Sequence, residues 1–236
     1  MRFAVCFALL VALSLGLALR FGPLSLAGFA GCLTAMGFIG PTLAYGTSRP
    51  GVIGKDPAGN HPGWAQFLHG SYLALCRTSS ILARLRGDDP WNRVAPGVLL
   101  GARPLAREVP VLLEQEGVGA VVDLTCELVV SARLRRRTTY LCLPTLDGTP
   151  PSEADLEAGV AFVEAHRTRH TVYVHCAVGR GRSATLMTAW MLATGRADSV
   201  ERAERQLHDQ RPAVRLHPSQ RAALRAWWEN RAKDPQ

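Results

Sequence analysis

Apolar positions divide this chain of 236 residues into two unlike parts. Residues 3–19 form an uncharged run dominated by Leu, Ala and Val, and residues 24–45 form a second run richer in Gly and Ala. A bilayer-spanning helix needs roughly 17–25 such residues, and both runs qualify. Arg20-Phe21-Gly22-Pro23 between them reads as a tight turn. Ala27, Gly31 and Ala35 recur at four-residue spacing, a ladder of small residues that suits close packing of two membrane helices. The pattern predicts an N-terminal transmembrane helical hairpin. A cleaved signal peptide is the competing reading, with Arg2, an apolar core and Gly16-Leu17-Ala18 as the cleavage site. The second apolar run argues against simple secretion.

After residue 46 the pattern changes. Residues 47–63 are rich in Gly and Pro and read as a linker. In residues 64–85, Trp64, Phe67, Leu68, Tyr72, Leu75, Ile81, Leu82 and Leu85 interleave with Arg77 and Arg84. This is either a helix lying on a membrane surface or one packed on the following domain. Asp88-Asp89-Pro90-Trp91 opens that domain. Short β-rich runs at 98–100, 119–124, 139–143 and 171–174 alternate with helical patterns at 106–117, 152–166, 182–194, 199–210 and 218–231. The alternation predicts an α/β domain with a central sheet flanked by helices. The expected division is 1–46 for the two spans, 47–90 for linker and juxtamembrane helix, and 91–236 for the α/β domain.

One stretch carries chemistry. The strand ending at His175 runs into Cys176-Ala177-Val178-Gly179-Arg180-Gly181-Arg182-Ser183, where a helix begins. Glycines let a tight loop turn its backbone N–H groups inward, here Gly179 and Gly181. Inward N–H groups at a helix N-terminus form an anion site, built from residues 177–182. Arg182 can grip two phosphate oxygens with its planar fork. The same positive surroundings favour a Cys176 thiolate, a nucleophile aimed at bound phosphorus. Ser183 can hand its hydroxyl proton to the sulfur, and His175 braces the loop. A proton donor for the leaving oxygen is also needed. Asp147, in Leu146-Asp147-Gly148-Thr149-Pro150-Pro151, is the one carboxylate of its loop.

The string His-Cys-x-x-Gly-x-x-Arg-Ser resembles the signature of the protein tyrosine phosphatase superfamily, in its dual-specificity branch. The resemblance covers roughly residues 91–228. It implies a dual-specificity-phosphatase-like domain and a cysteinyl-phosphate mechanism with Cys176, Arg182, Asp147, Ser183 and His175 in catalytic roles. Val98-Leu99-Leu100-Gly101-Ala102-Arg103-Pro104, Asp147-Gly148-Thr149-Pro150 and Gly159-Val160-Ala161-Phe162 are most similar to the branch that hydrolyses phosphatidylglycerophosphate, where Arg180 also matches. Two departures stand out: Ala177 replaces a lysine of that branch, and its paired acidic residues are reduced to Glu127 beside Cys126.

Charge and cysteines refine the picture. The net charge is +8, and Arg133, Arg135, Arg136 and Arg137 cluster in an expected loop. A cationic, membrane-tethered domain suits anionic headgroups, with about 1 kcal/mol per basic residue near the surface. The charge comes without an aromatic–basic stacking pattern, which argues against nucleic acid as the partner. Arg49, Lys55, Arg77, Arg84, Arg86 and Arg93 follow the second span and favour a cytoplasmic position for the domain. The six cysteines show neither a disulfide framework nor a metal spacing, so neither metal nor cofactor is expected. Cys126 and Cys142 read as buried small side chains or as protectors of Cys176 on oxidation. Three functions stay open: a phospholipid phosphatase, a protein tyrosine or dual-specificity phosphatase, and a non-catalytic phosphate-binding adaptor. Intact Cys176, Arg182 and Asp147 count against the adaptor. Oligomeric state is not legible.

Overall fold

The computed structural model describes residues 2–85, 87 and 89–233. Arg86 of the basic flank and Asp88 of the domain opening lie outside the described residues. Two long helices come first, α1 (Arg2–Phe21) and α2 (Leu26–Thr47). They pack against each other as a hairpin, with Ser25 capping α2 by accepting from the Gly28 N–H. At 1.5 Å per residue they are about 30 Å long, the thickness of a bilayer core. The small-residue contact is real but shifted from the expected ladder. Gly28, Gly31 and Ala35 are buried, whereas Ala27 is exposed. A Cβ on Gly31 would lie 2.5 Å from the Ser14 carbonyl oxygen, so glycine is what lets the backbones meet.

Two helices follow, α3 (Gly63–Leu68) and α4 (Gly70–Arg84). They lean on α2: Gly37 faces Ser71, and Gly40 faces the His69 ring. Tyr72 and Leu73 bury themselves with Phe38, Tyr45, Cys126 and Leu146, so α4 joins the hairpin to the α/β domain. Trp64, Phe67, Leu75, Ile81 and Leu82 stay exposed. The segment is thus packed on one face, as one of the two alternatives expects, and leaves apolar residues outward on the other.

The expected linker is corrected. Residues 47–63 are folded onto the domain, and their Lys55 is inserted into its core. Lys55 Nζ sits 2.7 Å from Asp123 Oδ2 and 2.7 Å from the Thr125 carbonyl oxygen, with neither charged side chain exposed. His61 Nε2 lies 2.9 Å from the Cys126 carbonyl oxygen. A buried, paired ammonium tethers this stretch, which composition alone cannot reveal.

The domain is a five-stranded sheet with helices on both faces. Its strands are β1 (Trp91–Ala95), β2 (Val98–Ala102), β3 (Val118–Thr125), β4 (Thr139–Thr145) and β5 (Thr171–Cys176), in the order β1-β2-β5-β3-β4. β1 pairs antiparallel with β2, and the remaining pairs are parallel. β5 is central and buried on both faces, as its Val172, Tyr173 and Val174 predict. The helices are α5 (Ala132–Arg137), α6 (Glu153–His166), α7 (Arg182–Ala193), α8 (Val200–Gln210) and α9 (Pro218–Lys233).

Two local expectations change. Residues 106–117 are not one α-helix but a 3₁₀ turn at Ala106–Glu108 followed by a wide turn at Val111–Gln115. Pro110 lies between them and has no N–H to continue a helical ladder. The arginine cluster is not in a loop: it forms α5, where Arg133 pairs with Glu114 and Arg135 donates to the Ala58 carbonyl.

Candidate active site

Residues 176–182 link the end of β5 to the start of α7, at the carboxyl edge of the parallel strands, where open α/β sheets place their ligand crevices. Cys176 is buried beneath this loop. The Gly179 N–H and the Ser183 hydroxyl both point at its Sγ, at 3.3 Å each. Burial opposes charge on the sulfur. The Arg182 guanidinium and the hydrogen bonds from the Ser183 side chain and backbone outweigh it, so the thiol is lowered from its ordinary value. Asp147 works weakly the other way.

Gly179 is the position that requires glycine. Its φ is +70°, and a Cβ would lie 2.4 Å from the Gly101 carbonyl carbon. Gly181, expected to share that role, has an ordinary φ of −113° and instead caps α7. Ala177 is half-buried, and its carbonyl accepts from the Arg103 N–H at 3.2 Å. Val178, Arg180 and Gly181 line the adjoining cavity with Cys176.

Arg182 is 1% exposed and is gripped from below by Glu127, with Nη1–Oε2 at 2.9 Å and Nη2–Oε1 at 2.7 Å. It also donates to the Thr145 carbonyl at 2.8 Å. Burial opposes the Glu127 charge, but Arg182 holds its carboxyl below the usual range. The single remaining acidic residue, read from the sequence as a reduction, therefore makes the full two-point contact with the guanidinium. Asp147 Oδ1 lies 3.2 Å from Arg182 Nη2, and the Asp147 carboxylate is 63% exposed, facing the cavity.

His175 lies under the loop. Its Nδ1 is 3.4 Å from the Cys176 carbonyl oxygen and 3.9 Å from Asp123 Oδ1. Burial lowers its pKa, only partly offset by Asp123, so the ring is neutral near pH 7.

Several site residues were not legible. Arg211 is buried behind the loop; its Nε donates to the Gly179 carbonyl at 2.8 Å and its Nη1 to Asn92 Oδ1 at 2.5 Å. Gln220 donates to the Thr149 carbonyl at 3.0 Å and accepts from the His217 N–H at 2.8 Å, fastening α9 to the Asp147 loop. Both lie far along the chain from what they hold, and no local motif marks either. The arginines of α5 do not line the cavity.

Ser183→Ala should raise the Cys176 pKa by removing one hydrogen bond to the thiolate. The reactive thiolate exists above that pKa, so the acid limb of kcat/KM should move to higher pH. A bond to a charged group is worth about 1.5 kcal/mol, or on the order of one pH unit. A pH–rate profile on a soluble aryl phosphate checks this, and an unmoved limb contradicts it.

Comparison with known proteins agrees with this geometry. Residues 98–230 match the dual specificity phosphatase catalytic domain. A phosphatidylglycerophosphate phosphatase of Arabidopsis thaliana is 34% identical over 140 residues, covering 57% of this chain and 60% of that protein. The Homo sapiens phosphatidylglycerophosphatase and protein-tyrosine phosphatase 1 is 33% identical over 146 residues, covering 58% of this chain and 72% of its own length. The crystal structure of PTPMT1 in complex with PI(5)P superimposes with a TM-score of 0.57 at 27% identity, over 61% of this chain and 98% of that one. With over half of its length matched by that domain, the chain belongs to the dual-specificity phosphatase family.

Proposed function

We propose that this protein is a membrane-associated, cysteine-dependent phosphomonoesterase whose substrate is a phospholipid headgroup. The observation that carries the reading is the cavity in front of Cys176, about 1520 Å³ in volume. Arg180, Arg215 and Arg221 contribute to its lining on the domain side; Phe3, Cys6 and Tyr45 of the hairpin contribute on the other. Cationic and apolar walls together suit an anionic headgroup that stays attached to its lipid.

The chemistry has two steps. Cys176 Sγ attacks phosphorus; the S–P bond forms as the bond to the leaving oxygen breaks, and Asp147 gives that oxygen its proton. Water then attacks the cysteinyl-phosphate, the S–P bond breaks, and Asp147 takes back a proton. Arg182 and the loop N–H groups bear the charge on the three non-bridging oxygens. Ser183 stabilises the departing thiolate.

In this reading both hairpin ends and the domain lie on the cytoplasmic side, with the turn at Gly22 on the other. The packing of Phe3 and Phe7 against Tyr45 supports an α1 that is retained rather than cleaved. The exposed Trp64 and Phe67 of α3 suit the interface, where amphipathic helices lie.

The test is phosphate release by the full chain in mixed micelles, comparing phosphatidylglycerophosphate with phosphotyrosine peptides. A kcat/KM at least tenfold higher on the lipid is expected. A preference for the peptide would make the protein a tyrosine phosphatase instead, with the hairpin only an anchor.

A further inference from the structure

The hairpin does more than line the cavity. Tyr45, near the end of α2, reaches the loop that carries Asp147: the Asp147 backbone N–H donates to Tyr45 Oη at 3.0 Å. The two residues are 102 positions apart in the chain. Phe3 lies beside Tyr45, the rings tilted by 47° with centroids 5.3 Å apart, and its Cε2 would lie 3.2 Å from a Cβ on Gly148. Leu146, on the other side of Asp147, is buried with Tyr45, Ala44 and Phe38. Three consecutive residues of the loop therefore rest on the hairpin. On its far side the loop is tied to α9 by the Ser219 hydroxyl on the Gly148 carbonyl at 3.1 Å and by Gln220 on Thr149.

Most of the Asp147 carboxylate is exposed; Arg182 holds it at one oxygen, at 3.2 Å, and Tyr45 holds the backbone that carries it. The backbone N–H is a strong donor that needs a partner when screened from water. Tyr45 supplies that partner from a helix rather than from the loop itself.

We infer that Tyr45 is a positioning residue: the end of the membrane hairpin holds the acid-bearing loop in its working place, so the membrane segment is part of the catalytic apparatus. This rests on the assignment of Asp147 as the general acid. A misplaced acid slows the departure of a poor leaving group and leaves a good one little affected. An error of about 1 Å in a catalytic group can lower a rate by orders of magnitude.

The experiment uses the full chain in detergent micelles. Tyr45→Phe keeps the ring and removes the acceptor. Its kcat/KM, which reports only the first phosphoryl transfer, should fall about tenfold on an alkyl phosphate, a part of the 10²–10⁴-fold that a positioned acid is worth. On 4-nitrophenyl phosphate the fall in kcat/KM should be about threefold or less. Asp147→Asn should show the same selectivity with a larger loss. If Tyr45→Phe changes both substrates equally, or neither, while Asp147→Asn is selective, the inference falls and the acid assignment stands. If Asp147→Asn is not selective, the acid assignment falls first. Phe3→Leu, which slackens the ring contact and spares the hydrogen bond, should shift the ratio in the same direction by less. It decides the matter should Tyr45→Phe lose its fold.

Discussion

Cys176→Ser should lower phosphate release from phosphatidylglycerophosphate by on the order of 10⁴-fold or more, the scale on which removing an enzymic nucleophile acts. The site stabilises a thiolate, through Arg182 and the two hydrogen bonds of Ser183. A hydroxyl at the same place ionises far too weakly for those groups to make it an anion. The loop around it should survive. The Gly179 N–H that meets Sγ finds an oxygen instead, and Arg182 keeps its grip on Glu127. Inorganic phosphate should therefore still bind the variant in a calorimetric titration while turnover disappears. Turnover near the wild-type rate would mean that another group attacks phosphorus, and the two-step scheme would have to be abandoned.

Lys55→Met should unfold the protein at a much lower temperature. The Lys55 ammonium is fully buried against Asp123, and the same carboxylate accepts from the Tyr140 hydroxyl at 2.6 Å and the Thr125 N–H at 2.8 Å. Burial pushes the Asp123 carboxyl up, but Lys55 and the neighbouring donors hold it well below the usual carboxylate range. Methionine has similar volume and leaves that carboxylate without its cation. Breaking a buried pair from one side costs about 3–5 kcal/mol. At roughly 2–4 °C per kcal/mol for a chain of this size, the midpoint should drop by about 6–20 °C. Adding Asp123→Asn should recover part of the loss, because the stranded charge is gone. A thermal melt in detergent reads both variants. An unchanged midpoint for Lys55→Met would show that residues 47–63 are an ornament on the domain rather than part of it.

What was legible in the chain follows from distance along it. The phosphate loop is a local object: Cys176, Gly179, Arg182 and Ser183 lie within eight residues, and strand and helix flank them in sequence as in space. The strands β2, β3, β4 and β5 announce themselves by short β-branched runs, and α6 by its Ser152 cap. Asp147 was legible because its loop holds no second carboxylate. β1 escaped notice, since Asn92 and Arg93 interrupt any apolar alternation. Lys55, Tyr45, Arg211 and Gln220 were invisible as site-builders. Each acts on atoms at least 32 positions away, and a single sequence does not record which distant partners meet. Glu127 was noticed only as a departure from a pattern. The geometry of its two oxygens against Arg182 gives it its meaning.

The order of strands across the sheet bears on how the protein is made. A ribosome delivers β5 after the other four strands, yet β5 belongs in the middle, between β2 and β3. Until it slots in, the edges of β2 and β3 that flank it cannot pair with it, and Cys176 has no loop to activate it. The hairpin, by contrast, precedes every strand of the sheet. The two apolar helices are thus made while the sheet is still open, and the surroundings of Cys176 are completed only when its last strand closes the sheet. For a thiolate enzyme this order means that the sulfur is activated only in the finished sheet.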